Sequence, residues 1–68
     1  MRYLVVIENG ENSFGAHLPD LPGCAVVGET REEALKLIRE AVEFHVASMR
    51  EQGAPLPDPA SSTDYVQI

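Results

Sequence analysis

Carboxylates are the most abundant side chains in this 68-residue sequence that could do chemistry, and there are 11 of them. A metal-dependent nuclease needs several carboxylates that converge on one point, commonly from a strand centre. The first apolar segment carries Val5 at its centre, and the acids of the predicted helix lie on its polar face. We therefore predict surface and capping roles for the acids, with no catalytic site, metal site or cofactor. The acids outside the helix fall in loops or at strand ends, and include Glu8, Glu11, Asp20 and Glu29.

The cysteine and the two histidines offer little further chemistry. Cys24 is the only cysteine, which excludes an intrachain disulfide, and no CxxC or HxxxH spacing suggests zinc. Cys24 follows a Pro-Gly turn without a base nearby in sequence, so we expect a small packed side chain. His45 falls on the apolar stripe of the helix, where we expect a partly buried position rather than a pH-sensitive contact. His17 falls on the polar side of a strand and is expected at the surface.

The charge balance points to a protein partner. The formal net charge is −6 at pH 7, and no cluster of Lys and Arg is present. Phosphate backbones attract such clusters, so we expect no direct nucleic-acid binding and instead predict a basic partner. The longest apolar run, at residues 4–7, is far shorter than the roughly 18 residues of a membrane span. The first residues also lack a signal-peptide pattern, so we expect a cytoplasmic location and no membrane partner.

Hydrophobic periodicity predicts a hairpin at the start of the chain. Residues 3–7 are apolar on both parities, which is typical of a central strand, and residues 13–18 alternate. Asn9-Gly10 favours a tight turn with positive φ, which would pair Val5 with Phe14. One sheet face would then carry the apolar set that packs on the helix: Tyr3, Val5, Ile7, Phe14, Ala16 and Leu18.

Turn and capping signals predict the middle of the chain. Residues 19–23 read as a rigid double turn, with Pro22-Gly23 in the two central positions of a type II turn, and residues 24–29 as a third strand. Thr30 and Glu33 have capping-box spacing, with Glu33 expected to reach back to the Thr30 amide. The helix should end at Gly53. Its apolar stripe comprises Ala34, Leu35, Ile38, Ala41, Val42, His45, Val46 and Met49.

Two apolar pairs fall outside this predicted core. Leu37 and Phe44 lie seven residues apart on one helix flank, where they could form a contact surface or pack under the proline-rich connector at residues 54–62. Leu4 and Val6 lie on the second sheet face. Because so short a chain buries only a marginal core, we predict a homodimer or higher oligomer through that face. Residues 63–68 read as a short last strand, so the predicted order is β-β-β-α-β in one α+β domain, residues 1–68.

Several segments, in order and over almost the whole chain, resemble the HicB-like antitoxin family. They are YLVVIE at residues 3–8, LPDLPGC at 18–24, VGET at 27–30 followed by EEAL at 32–35, and GAPLP at 53–57. The resemblance implies a partial RNase H-like fold: a mixed four-stranded sheet of order 3-2-1-4 with one helix packed on one face. RNase H-type enzymes carry metal-binding carboxylates on the first strand, the helix and the fourth strand. Val5 and Asp64 occupy the first-strand centre and the start of the last strand here, so the catalytic set looks absent.

The resemblance also implies a partner. Family members typically bind and cover HicA, a small basic mRNA-cleaving toxin, and many carry a C-terminal DNA-binding domain, which we do not expect in a chain that ends at Ile68. Our leading hypothesis is therefore a non-enzymatic antitoxin domain. The alternatives are a residual RNase H-like nuclease that uses Glu8 or Asp64, and an orphan regulatory or oligomerisation module with an unrelated protein partner. Candidate toxin contacts are Asp20, Glu29, Leu37 and Phe44, and candidate oligomer contacts are Leu4 and Val6.

Overall fold

Three short strands and one long helix make up the computed structural model, which describes residues 1–68. The strands form one antiparallel sheet in the order β1-β2-β3, and α1 packs on one face of it, over β3 and β2. The elements are β1 (Val6–Asn9), β2 (Phe14–His17), β3 (Ala25–Gly28) and α1 (Arg31–Glu51).

The predicted fourth strand does not form, so the β-β-β-α-β order and the mixed four-stranded sheet of order 3-2-1-4 are wrong. The observed fold is β-β-β-α with a purely antiparallel sheet. Residues 63–68 are all exposed and belong to no strand. Their apolar alternation favours an extended backbone, but a strand also needs hydrogen bonds to a neighbour, and these residues do not pair with the free edge of β1. The parallel crossover that an RNase H-like arrangement requires is accordingly missing.

The β1–β2 hairpin forms, but with a different register from the one predicted. Phe14 pairs with Asn9 instead of Val5, and the loop comprises residues 10–13, closed by a 2.8 Å hydrogen bond from the Gly10 amide to the Ser13 carbonyl. Gly10 does not take a positive φ, so the Asn-Gly turn was wrong. The shift is four residues, an even number, and side chains alternate with period two. The helix-facing set of side chains was therefore predicted correctly.

Pro19 explains why β1 begins at Val6 rather than at Tyr3. In the observed register Val6 pairs with His17, so Leu4 would face Pro19. Proline has no amide hydrogen to donate to a ladder, and the chain turns there. The first residues thus run beyond the end of β2, and β1 is an edge strand rather than the predicted central one.

Local turn and capping chemistry agrees closely with the sequence. In the loop between β2 and β3, Leu21 and Cys24 donate their amides to the Leu18 and Leu21 carbonyls, and Gly23 has φ +87°. These bonds confirm the double turn and its type II half. Gly53, at φ +69°, ends α1 in a Schellman arrangement.

The start of α1 contains one departure from the predicted capping box. Thr30 Oγ1 accepts a 3.0 Å hydrogen bond from the Glu33 amide, as expected. Glu33 Oε1, however, accepts from the Glu29 amide at 2.9 Å instead of the Thr30 amide. The Glu33 carboxylate therefore binds the backbone amide one residue upstream of the predicted one.

The core is small, and α1 comes very close to β3 in order to close it. Gly28 is buried, and a Cβ atom placed there would lie 2.7 Å from the Ala34 amide nitrogen. Only glycine allows this approach without displacing the helix backbone. Half-buried apolar residues surround the six fully buried ones, which are Ala16, Leu18, Leu21, Cys24, Ala34 and Ile38.

Residues 54–61, which we call the strap, run from the end of α1 back to the β2–β3 loop. The Tyr3 hydroxyl donates a 2.6 Å hydrogen bond to the Pro57 carbonyl. The Asp20 carboxylate accepts from the Ala60 amide at 3.1 Å, the Ser61 amide at 2.9 Å and the Ser61 hydroxyl at 2.8 Å. We call these three bonds the Asp20 clasp. Ser61, through its amide and then its hydroxyl, lowers the pKa of Asp20 below the ordinary value of 3.8.

Gly28→Ala should destabilise the fold because the added methyl group meets the helix backbone. Overpacking of this kind costs about 1–3 kcal/mol, which chemical denaturation can measure. Gly15→Ala is the matched control, since its nearest neighbour would be the Val26 carbonyl oxygen at 4.0 Å. Equal stability of the two variants would contradict the close approach.

Asp20→Ala should release the strap, while Asp58→Ala, which removes an exposed carboxylate of the same segment, should not. At neutral pH the Ala60 and Ser61 amides should exchange hydrogen several-fold faster in Asp20→Ala, as followed by NMR. Because the folded pKa of Asp20 is lowered, the clasp stabilises the fold above the unfolded pKa near 3.8 and is lost as pH falls through the folded value. Unchanged exchange in Asp20→Ala would count against the clasp.

Candidate protein-binding surface

An apolar strip with an acidic margin runs along the exposed side of α1. Leu37 is half-buried, and Phe44 is 78% exposed. At 100° per residue these two positions differ by only about 20° around the helix axis. Three exposed acids lie within about 60° of Leu37 on the same side. We call this set the helix flank: Leu37, Phe44, Glu33, Glu40 and Glu51.

The helix flank faces the β3 side of the molecule. Leu35, Arg39 and Val42, on the opposite side of α1, line a groove beside the first residues of the chain. The strap also lies on that opposite side, since its Leu56 lies near Tyr3 and Val42. Phe44 is therefore not covered by the connector. That Leu37 and Phe44 form a contact surface remains a prediction.

Asp20 and Glu29 do not join the flank in a single site. Asp20 precedes β3 and Glu29 follows it, so the two lie at opposite ends of that strand. Asp20 uses its oxygens within the chain, in the clasp. Glu29 is exposed beside the start of α1, and its amide is bound by Glu33. Glu29 thus extends the acidic margin of the flank. Asp20 has a structural role instead, which the sequence did not reveal because its hydrogen-bond donors lie about 40 residues away along the chain.

The sheet face opposite α1 has no second layer. Leu4 and Val6 are half-buried there, and Val27 is 68% exposed. His17, directly across from Val6, has its Nδ1 3.6 Å from Glu8 Oε1, a contact that is an ion pair only when the imidazole is protonated. Val27 was missed because no faces were predicted for the third strand. The oligomer contacts Leu4 and Val6 remain a prediction.

Titratable groups do not gather into a reactive centre. No three side chains of the types His, Cys, Asp or Glu lie close enough to hold a metal ion. Glu8 faces His17, and Asp64 Oδ1 accepts a 2.8 Å bond from the adjacent Tyr65 amide. Cys24 is buried, and desolvation raises the pKa of its thiol. No observation therefore favours the residual nuclease. The helix also lacks an apolar stretch that could span a bilayer.

Comparison with known proteins identifies relatives of this chain. A family model described as the HicB-like antitoxin of bacterial toxin-antitoxin systems matches residues 3–67. The chain is 36% identical to Antitoxin HicB 2 of Photorhabdus laumondii, across its whole length and 50% of that protein. It is 34% identical to a UPF0150 protein of Thermoplasma acidophilum, over 84% of each chain. An uncharacterized protein of Haemophilus phage HP1 is 33% identical over 97% of this chain.

A solved structure shows the same architecture. A chain of a HicA3 and HicB3 toxin-antitoxin complex superimposes with a TM-score of 0.72 and 30% identity, over 88% of this chain and 70% of the other. The chain spans about half the length of its phage and Photorhabdus relatives. Family match, identity and fold agree, and the chain belongs to the HicB-like antitoxin family.

Proposed function

We propose that this domain binds and neutralises a small HicA-like mRNA-cleaving toxin. The observation that carries the proposal is the likeness to a chain of the HicA3 and HicB3 complex, at 30% identity and a TM-score of 0.72. In this proposal the domain acts by binding alone, without catalysis. Its site of action is the cytoplasm, where the toxin's mRNA substrates are.

The helix flank is our candidate for the toxin-binding surface. Phe44 supplies a large exposed apolar side chain, and aromatic residues are enriched at the centres of protein interfaces. The acids Glu33 and Glu40 lie beside it, and a basic toxin would meet complementary charge there. With a net charge of −6, the whole chain would also steer a basic partner towards it.

Charge and apolar contact contribute differently to such an interface. Exposed acids at the rim mainly accelerate association and make it sensitive to salt. A buried aromatic anchor mainly slows dissociation, because its apolar area leaves water only in the complex. We therefore expect the toxin complex to form more slowly at high salt, and to depend on Phe44 for its lifetime.

Phe44→Asp should weaken toxin binding by about 30-fold or more, as expected for an aromatic hot spot. Val27→Asp is the matched control, because Val27 is also a large exposed apolar residue but lies in the sheet. Biolayer interferometry against a HicA-like toxin, taken from a reading frame beside the gene if one is found there, would measure both variants. Protection of mRNA from cleavage is a second measurement.

The location of the toxin-binding surface and the antitoxin function itself are tested by different outcomes. Loss of binding in Val27→Asp with normal binding in Phe44→Asp would move the surface to the sheet. No complex between the unmodified chain and the toxin at micromolar concentration and low salt would refute the antitoxin function. A toxin-like reading frame missing from the gene's neighbourhood would favour the orphan module.

A further inference from the structure

An open apolar groove lies between the first residues of the chain and α1. It has a volume of about 470 Å³. Its floor is apolar, and Arg2, Arg39 and Glu43 stand at its rim. We call this the β1–helix groove. Its apolar lining consists of Tyr3, Val5, Leu18, Leu35, Ile38 and Val42, together with Met1.

The groove follows from two features of the fold. α1 packs over β3 and β2, so it leaves the β1 side of the sheet uncovered. The chain before β1 also runs past the end of β2, because β2 turns away at Pro19. Tyr3 and Val5 are consequently only half-buried, although their side chains face the helix.

An apolar segment of the same chain stands in solvent. Residues 64–68, which we call the tail, contain Tyr65 at 95%, Val66 at 88% and Ile68 at 114% relative exposure. The radius of gyration is 13.2 Å, whereas a compact domain of this length would have about 11 Å. The tail therefore extends away from its own domain, held at its base by the Asp20 clasp on Ser61.

Charge complements this pairing of groove and tail. Arg39 is exposed at the groove rim, and no carboxylate lies within ion-pair distance of it. Arg2 stands at the same rim, and Glu43 is the one acid there. The tail carries a single charged side chain, Asp64. A groove with two cations in a chain of net charge −6 is an unusual local environment, and it suits an acidic-apolar segment such as the tail.

We propose that the tail of one copy occupies the β1–helix groove of a second copy, and that the exchange is reciprocal. Tyr65, Val66 and Ile68 would cover the apolar floor, and Asp64 would meet Arg39 of the second copy. A stable interface needs about 1,000 Å² of buried surface or more. Reciprocal exchange buries two tails and two grooves, which is twice the area of a single contact. The proposal does not depend on the toxin.

The test is a charge exchange measured by analytical ultracentrifugation of the 68-residue chain. Arg39→Asp places an acid against Asp64, and Asp64→Arg places a cation against Arg39, so each variant alone should dimerise about tenfold more weakly. A mixture of the two should form a heterodimer with close to the original dissociation constant, because both of its groove-tail contacts then pair opposite charges. Lys36→Asp and Asp58→Arg are matched controls outside the groove and the tail.

Each result decides for or against the exchange. A tail that folded into its own groove would leave every variant monomeric, and a monomer for the unmodified chain at all concentrations would overturn the proposal. A dimer insensitive to both charge changes would overturn it as well. So would a dimer lost instead in a Val6→Ser, Val27→Ser variant, since that result would place the contact on the open sheet face. Selective heterodimer formation by the mixture supports the exchange.

Discussion

The close approach of α1 to β3 is the contact on which the rest of this fold depends. Only six apolar residues are fully buried, and two of them, Ala34 and Ile38, belong to the helix. A helix held further from the sheet would leave both of them partly in water. The small residues Gly28 and Ala34 remove that gap, since neither has a side chain that would keep the two backbones apart. In so small a core, dispersion and burial both weaken quickly with separation.

Hydrogen bonds compensate for the limited core at the other end of the molecule. The strap buries little apolar surface, and it is held by Tyr3 and Asp20 instead. A carboxylate that accepts three bonds in one exposed loop provides directional restraint where hydrophobic contact is scarce. The same arrangement sets where the tail leaves the domain. Burial thus decreases from the core through the strap to the tail.

Sequence reasoning succeeded where the determining chemistry is local. The double turn at Pro19 and Gly23, the Thr30 cap and the Gly53 terminus depend on residues a few positions apart, and all were predicted. It failed where the structure depends on which of several possible segments pair with each other. The hairpin register depends on which loop closes, and both registers place the same side chains on the helix face. The last strand required pairing with the edge of β1, and the role of Asp20 required contact with Ser61, neither of which periodicity encodes. Of the candidate toxin contacts, the structure places Phe44 and Leu37 together, and leaves Asp20 apart.

The buried position of Cys24 has a practical consequence. Cys24 is 4% exposed and burial raises the pKa of its thiol, so little reactive thiolate is available in the folded chain. Cys24 also packs among the same few residues that close the core. A thiol reagent can therefore modify this protein only when the core opens. The single cysteine serves as a built-in reporter, because its rate of labelling depends on how often the core around it opens.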